Sequence, residues 1–312
     1  MKPAISMIAT VFLLTPSEGS RHSDEADRAQ ATLFIESGHN CRGTETVRCG
    51  SIEHALLENL MTNTVALQQL LRDVTDVAIS ALANSDDRRS AGDREGQYRL
   101  DLLVDGPLVQ TLLDNGLGVL SEEAGLIEPQ RSLLAVVDPV DGSTNASRGV
   151  SWFATSICVF DDDGPLVALV ENHTTRERFE AVRGGGATRN GEPMGPVTPA
   201  PADERIILTN GMPSAERAWA QFRVLGASAL DINYVAAGVV DGYIDFDTEA
   251  HGVWDYAGAL LVCQEVGVPI VDAFGRDLVH RDIDERRTPV VAHDVDALET
   301  FVRLRRSVEP GE

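Results

Sequence analysis

Hydrophobic and polar positions alternate along this chain with two different periods, and each change of period marks an element. Leu67, Leu70, Leu71, Val74, Val77 and Ala78 recur every three to four residues, which predicts an amphipathic helix. Asn84 to Gly96 interrupts this with charges, Gly and Ser, and predicts a loop. Residues 99–114 are predicted to carry a second helix, Pro107 to Leu113, entered through Asp105-Gly106. The run Leu133 to Val137 is short, apolar and partly β-branched, as a buried strand of a mixed or parallel sheet is. Trp152 to Phe160 and Leu166 to Val170 flank Asp161-Asp162-Asp163-Gly164 and predict a hairpin. Phe179 to Val182 predicts another strand, followed by Gly184-Gly185-Gly186. That triplet lacks the Lys-Ser/Thr ending and the spacing of nucleotide-binding loops, and reads as a turn.

Beyond a Pro-, Ala- and acid-rich stretch at 198–204, strands and helices alternate. Strands are predicted over Arg205 to Leu208, Gly242 to Phe246 and Val268 to Val271, and helices over Ala227 to Gly238 and Asp255 to Val266. This is layered α/β architecture. The 198–204 stretch predicts a link between an N-terminal half, 61–200, and a C-terminal half, 201–312. Residues 1–60 differ from both. Glu18 to Gly50 is polar and aperiodic and predicts a poorly ordered extension. Ala4 to Leu14, behind Lys2, has the length of a signal-peptide core, yet no small-x-small cleavage site follows it. Met61 is an alternative start, which the intact mass of the native protein would test.

Composition narrows the partners. With 312 residues the chain is long enough for a full core, and no apolar run has the length to span a bilayer, so a soluble, cytoplasmic protein is expected. A formal net charge of -23, with Lys2 as the only lysine, argues against nucleic acid and anionic membranes as partners. The same charge repels phosphorylated substrates unless bound cations invert the local field. Cys41, Cys49, Cys158 and Cys263 form no Cys-x-x-Cys pair or zinc spacing. Cys158 and Cys263 lie in apolar runs and are expected as buried free thiols.

The stretch Asp138-Pro139-Val140-Asp141-Gly142-Ser143-Thr144-Asn145 carries the most chemistry. It follows a predicted buried strand, and ligands of layered α/β proteins bind at the carboxyl ends of strands. Pro139 holds Asp138 extended and Gly142 permits a sharp turn, so two carboxylates can converge. Hard cations such as Mg²⁺ want such oxygens, and the turn beyond offers N–H groups that suit a phosphate. A plain surface turn uses the same residue types. An EF-hand loop is excluded, because its alternating ligands and closing Glu are missing. Glu122-Glu123 follows the apolar Leu117 to Leu120, and Asp255 follows Trp254 at a helix start. Taken singly, a solvated acidic turn and a helix cap, respectively, explain these better than metal ligation does.

Taken in order, these segments resemble the inositol monophosphatase family of magnesium-dependent, lithium-sensitive phosphatases. Asp138 to Asn145 matches its Asp-Pro-x-Asp-Gly-Ser/Thr-x-Asn signature, Trp254 to Ala257 its Trp-Asp-x-Ala signature, and Glu122-Glu123 its upstream acidic pair. Gly226 to Asp231, Tyr234 to Gly238 and Val240 to Tyr243 are similar to a third family segment. The resemblance covers about residues 65–300 and implies alternating α-β-α-β-α layers, as in inositol monophosphatases and fructose-1,6-bisphosphatases. It implies that Glu122, Asp138, Asp141, Asp255 and the Val140 carbonyl hold two or three Mg²⁺ ions. It further implies that Gly142 and Ser143 hold phosphate through backbone N–H groups, and that Asp105 and Ser143 orient the attacking water near Glu122. Asp141, Arg223, Ser228 and Asp245 would contact the substrate. A homodimer acting on a small phosphorylated metabolite is implied as well.

Departures from the family pattern fall on the substrate side. Ala146 stands where an aromatic residue is usual, Ala227 replaces a Ser or Thr with Ser228 following it, and Tyr243 to Trp254 carries about three extra residues. Asp245, Asp247 and Glu249 therefore compete for one substrate contact, and His251 is expected as a surface loop residue. The reading favours inositol monophosphate or a related polyol or sugar phosphate. Histidinol phosphate, fructose 1,6-bisphosphate and 3'-phosphoadenosine 5'-phosphate remain open, as does a non-catalytic regulator built on the same fold.

Overall fold

The computed structural model describes residues 49–83, 90, 92, 98–213, 216–247 and 251–308, with side chains from residue 63 onward. Contacts group 64–312 as one compact unit, apart from 1–63, and the account below concerns that unit. The predicted extension at 1–48 lies outside the described residues. Residues 49–60, expected to be poorly ordered, are instead the first part of helix α1, Cys49–Ala83.

Two sheets form the frame. The first has eight strands in the order β2-β1-β3-β4-β5-β6-β7-β8. These are β1 Gly118–Ser121, β2 Gly125–Ile127, β3 Leu134–Asp141, β4 Ala154–Asp161, β5 Gly164–Asn172, β6 Arg178–Val182, β7 Gly186–Arg189 and β8 Glu192–Pro193. Only the β1–β3 pair is parallel. The second sheet, in the order β10-β9-β11-β13-β12, comprises β9 Ile206–Asn210, β10 Gln221–Arg223, β11 Gly242–Asp245, β12 Ile270–Asp272 and β13 Pro289–Ala292. The chain passes from one sheet to the other between Pro193 and Ile206, across the stretch where the composition shifts.

Strand periodicity assigns the layers. In β3, Ala135 and Val137 pack with Leu71, Val74, Leu100, Val104 and Leu108 of α1 and α2 (Arg99–Asp114). Leu134 and Val136 face the other way, into a core shared with α4 (Ser228–Ala236) and α5 (Ala257–Val266). Leu208, Tyr243 and Val291 of the second sheet join that same core. Their neighbours Ile207, Ile244 and Val290 turn outward onto Phe301 and Leu304 of α6 (Val295–Arg306). The order is therefore α1/α2, sheet, α4/α5, sheet, α6, the layering that the resemblance implied. Nearly every residue of α5 is buried because the helix has a sheet on each side.

Helix α2 differs from its sequence expectation. It starts at Arg99, and Asp105-Gly106, read as its entrance, lie inside it with Pro107. Gly and Pro cost a helix interior backbone stability. Here Leu100, Val104, Leu108 and Leu112, four residues apart and all fully buried, recover it through packing.

Candidate metal and phosphate site

Strand β3 runs straight into the acidic signature, so Asp138 and Asp141 are its last ladder residues and both are buried. Pairing with β4 shifts register between Asp138 and Asp141. That bulge is fixed from within by the Val140 N–H, which donates to Asp138 Oδ1 at 3.0 Å. It is fixed from outside by Thr155 Oγ1, which donates to the Pro139 carbonyl at 2.8 Å. Bulges re-aim side chains beside active sites, and this one redirects two carboxylates toward the sheet end.

Gly142 turns the chain with φ +84°, in the left-handed region. A Cβ there would lie 2.9 Å from the Gly226 carbonyl oxygen and 3.0 Å from that of Trp152. The short helix α3, Ser143–Arg148, follows. Asn145 Nδ2 donates to the carbonyls of Trp152 at 2.7 Å and Leu225 at 2.8 Å. Asp141 reaches the same far loop, accepting from the Ser228 N–H at 3.2 Å and the Ala229 N–H at 2.7 Å. Its carboxylate thus caps the first turn of α4, where the helix dipole favours negative charge.

Three acids meet here. One carboxylate oxygen each from Glu122, Asp138 and Asp255 lies within 4.8 Å of the others. Glu122 follows β1, whose parallel pairing with β3 brings it level with Asp138. Asp255 ends a 3-10 turn, Val253–Asp255, just before α5. Burial holds the carboxyls of Glu122 and Asp138 well above the usual range; Asp255 raises Glu122 further, and Glu122, Asp141 and Asp255 raise Asp138. Asp141 is pushed up to about 7 by burial and then by Asp255, against the lowering from its N–H donors. Clustered buried carboxylates cost folding free energy unless a cation neutralises them. Oxygen-only donors at this spacing fit a hard divalent cation such as Mg²⁺.

Asp101, on the first turn of α2, belongs to the same electrostatic group and raises the carboxyls of Glu122 and Asp138. Burial, opposed by a Tyr98 N–H and reinforced by Glu123, lifts it to about 7. Its Oδ1 is buried without a hydrogen-bond donor among the described residues. Asp105, the residue expected beside the water, lies one turn later and accepts from Ser121 Oγ. The acid that reaches the cluster is therefore Asp101. The resemblance had been carried onto Asp105, one turn further along the same helix.

A pocket of about 470 Å³ opens over this cluster, within the range of small-molecule sites. Asp141, Asp255, Glu122, Ser228, Asn210 and Arg286 are among its lining residues. Arg223, expected on the alcohol side, is exposed on edge strand β10, with its guanidinium donating to the Phe222 carbonyl and Gln221 Oε1. Asp245 is fully buried behind the lining, accepting from Asn210 Nδ2 at 3.1 Å and the Asp247 N–H at 3.0 Å. Ser228 is among the lining residues.

His251 overturns its expectation as a surface residue. It is 7% exposed and lines the pocket, with Nε2 2.8 Å from Tyr243 Oη and Nδ1 3.6 Å from Asp255 Oδ2. Burial lowers its pKa, but Asp245 and Asp255 outweigh that and raise it to about 9. It forms an isolated bridge with Arg287 ahead of the 3-10 turn, so no helical spacing in the sequence marked it.

A buried acid cluster at the end of a sheet, under a pocket and beside a glycine turn, is an arrangement that can hold a divalent cation and a phosphate on an α-β-α-β-α frame. The inositol monophosphatase family model matches residues 57–309, and the chain belongs to that family of phosphatases. It is 29% identical over 209 residues to the fructose-1,6-bisphosphatase of Pyrococcus furiosus, covering 66% of this chain and 82% of that one. It is 27% identical over 233 residues to the inositol-1-monophosphatase ImpA of Mycolicibacterium smegmatis, covering 69% and 83%. A solved Pyrococcus horikoshii structure, described as having similarities to inositol-1 monophosphatase, shares the fold. Its TM-score is 0.67 at 24% identity, over 78% of this chain and 98% of that one.

Proposed function

We propose that this phosphatase hydrolyses a small polyol or sugar phosphate with Mg²⁺, as an inositol-1-monophosphatase-like enzyme. The observation that carries this is the convergence of Glu122, Asp138 and Asp255 within 4.8 Å, beside the orphaned Asp101 oxygen. Those three acids, with Asp141 and the Val140 carbonyl, would hold two or three ions. Bound there, the ions supply charge neutralisation for phosphoryl oxygens and acidity for a water. Asp101 Oδ1 and Ser143 Oγ accept and orient that water's protons, so that it meets phosphorus in line. Backbone N–H groups of Gly142 and Ser143 receive phosphoryl oxygens, and Ser228, Asn210 and His251 bound the alcohol side.

No phosphoenzyme is required, and Cys158 and Cys263 are buried with their thiols pushed up by desolvation. The same reading carries lithium inhibition, a cytoplasmic site of action and a homodimer. Phosphate release from a panel of phosphomonoesters, with Mg²⁺ and with EDTA, tests it. Release that EDTA suppresses and Mg²⁺ restores is expected; release indifferent to EDTA, or none from any ester, overturns it.

A further inference from the structure

The pocket that receives a phosphate is lined by four acids, Glu122, Asp141, Asp231 and Asp255, and by two side chains able to carry positive charge. One is His251, already enclosed by Asp245 at 3.8 Å and Asp255 at 3.6 Å. The other is Arg286, which stands in a different position. No carboxylate lies within ion-pair distance of it among the described residues. Its neighbour Arg287 pairs with Glu285.

Arg286 is also held in place. Its guanidinium lies 5.2 Å from the centroid of the Trp254 ring, whose chain neighbour is Asp255. Trp254 is itself 4% exposed, so the platform is fixed in the core. Nη1 donates to the Ile283 carbonyl at 2.7 Å and the Glu285 carbonyl at 3.2 Å. Nε and Nη2 make no hydrogen bond to another described residue. An arginine stacked on a rigid ring and tied at one nitrogen presents its remaining N–H groups as a pre-set fork. Such a fork matches a phosphate or a carboxylate in two-point contact.

We propose that Arg286 is a specificity-determining residue that binds a second anionic group on the alcohol portion of the substrate. The proposal rests on the phosphatase reading for the first phosphate. Cations among Glu122, Asp138 and Asp255 balance the phosphate undergoing hydrolysis, but they leave a second anion facing Asp141, Asp231 and the net charge of -23. Arg286 is the lining cation not already surrounded by acids. Among the small polyol and sugar phosphates of the proposed function, the preferred substrates are therefore those that carry a further phosphate or carboxylate.

Two matched pairs separate the sources of the second anion: fructose 1,6-bisphosphate against fructose 1-phosphate, and 3-phosphoglycerate against glycerol 3-phosphate. We expect wild-type kcat/KM to favour the doubly anionic member of at least one pair by tenfold or more. Arg286→Ala should lower that ratio about 10- to 100-fold, mainly through KM, as loss of a charged hydrogen bond does. Arg286→Lys should recover part of the ratio, since it keeps the charge and loses the fork. A wild-type preference for the singly anionic members, or a ratio that moves less than threefold in Arg286→Ala, overturns the proposal. So does an equal fall on both members of each pair, which would mean that Arg286 only supports Trp254 and its loop.

Calorimetric binding of the same compounds, with Mg²⁺, keeps the two readings distinguishable. If no ester is hydrolysed, the phosphatase reading fails. Arg286 then stands if Arg286→Ala removes the binding preference, and falls if it does not.

Discussion

Replacing Asp138 with Asn tests whether the acid cluster exists for a cation. Asp138 is 2% exposed, and its Oδ1 accepts from the Val140 N–H, a bond that an amide oxygen can keep. What the change removes is charge. Two ionised carboxylates 4.8 Å apart repel by roughly 3 to 4 kcal/mol at an effective dielectric near 20. The folded protein avoids that by taking up a proton. At pH 7.5 this uptake costs at most about 5 kcal/mol for one Asp, at about 1.4 kcal/mol per unit above the unfolded value. Burial of the new amide offsets part of the relief, leaving a net gain of about 1 to 3 kcal/mol for the metal-free variant.

A domain of this size shifts by roughly 2 to 4 °C per kcal/mol, so its melting temperature in EDTA should rise by several degrees. Wild type should gain about 2.7 kcal/mol from Mg²⁺ at a hundred times Kd, and Asp138→Asn should gain little. Phosphatase turnover should fall by roughly a thousandfold or more, since several kcal/mol of charge stabilisation leave with the cation. Thermal melts in EDTA and in Mg²⁺, with phosphate release alongside, measure all three. A variant that melts lower in EDTA yet keeps the Mg²⁺ response and its turnover would refute the reasoning.

Asp101→Asn should lower kcat by about 10²- to 10⁴-fold while Mg²⁺ still raises the melting temperature, whereas Asp105→Asn should mainly cost stability through Ser121; steady-state kinetics showing the reverse would return the water-orienting role to Asp105. Asp141 and Asp101, both near 7 against an ordinary value of 3.8, hold protons that the unfolded chain releases. Their contribution to metal-free stability is complete below about pH 4 and lost as pH rises through 7. Urea midpoints in EDTA should therefore fall from pH 4.5 to 8, and a rise across that window contradicts the assignment. Gly142→Ala should destabilise by about 1 to 3 kcal/mol, because φ +84° and the Gly226 and Trp152 carbonyls leave no place for a methyl group; a melting temperature equal to wild type would count against the turn geometry.

Most of the frame was legible in the sequence because its strands are short, apolar and bounded by turn residues. The hairpin at Asp161 to Gly164 and the alternating elements beyond 205 appear close to where periodicity put them. Asp138, Glu122 and Asp255 could be proposed from motif order: the first two end apolar segments that the sheet sets, and Asp255 stands just ahead of the apolar helix α5. What the sequence hid was orientation. Asp101 and Asp105 lie one turn apart on α2, and only tertiary packing shows that Asp101 is coupled to the cluster while Asp105 is engaged by Ser121. Arg223 carried the expected charge, but an edge strand turns it to solvent, while Arg286 comes from a loop with no motif of its own. His251 was hidden by the irregular segment before Trp254, whose closure against Tyr243 no local pattern announces.

The bonds from Asn145 and Asp141 to residues 225–229 have a consequence for the order of events during synthesis. The chain emerges from the ribosome with Glu122, Asp138 and Asp141 exposed long before Leu225, Ser228 or Asp255 has been made. A nascent chain that ends near residue 200 has the first sheet but neither the donors that anchor Asp141 nor the third acid. Glu122 and Asp138 can already meet across β1 and β3, but the cluster stays one acid short until the second half closes over it. On the proposed metal-dependent reading, full cation affinity therefore requires the completed fold.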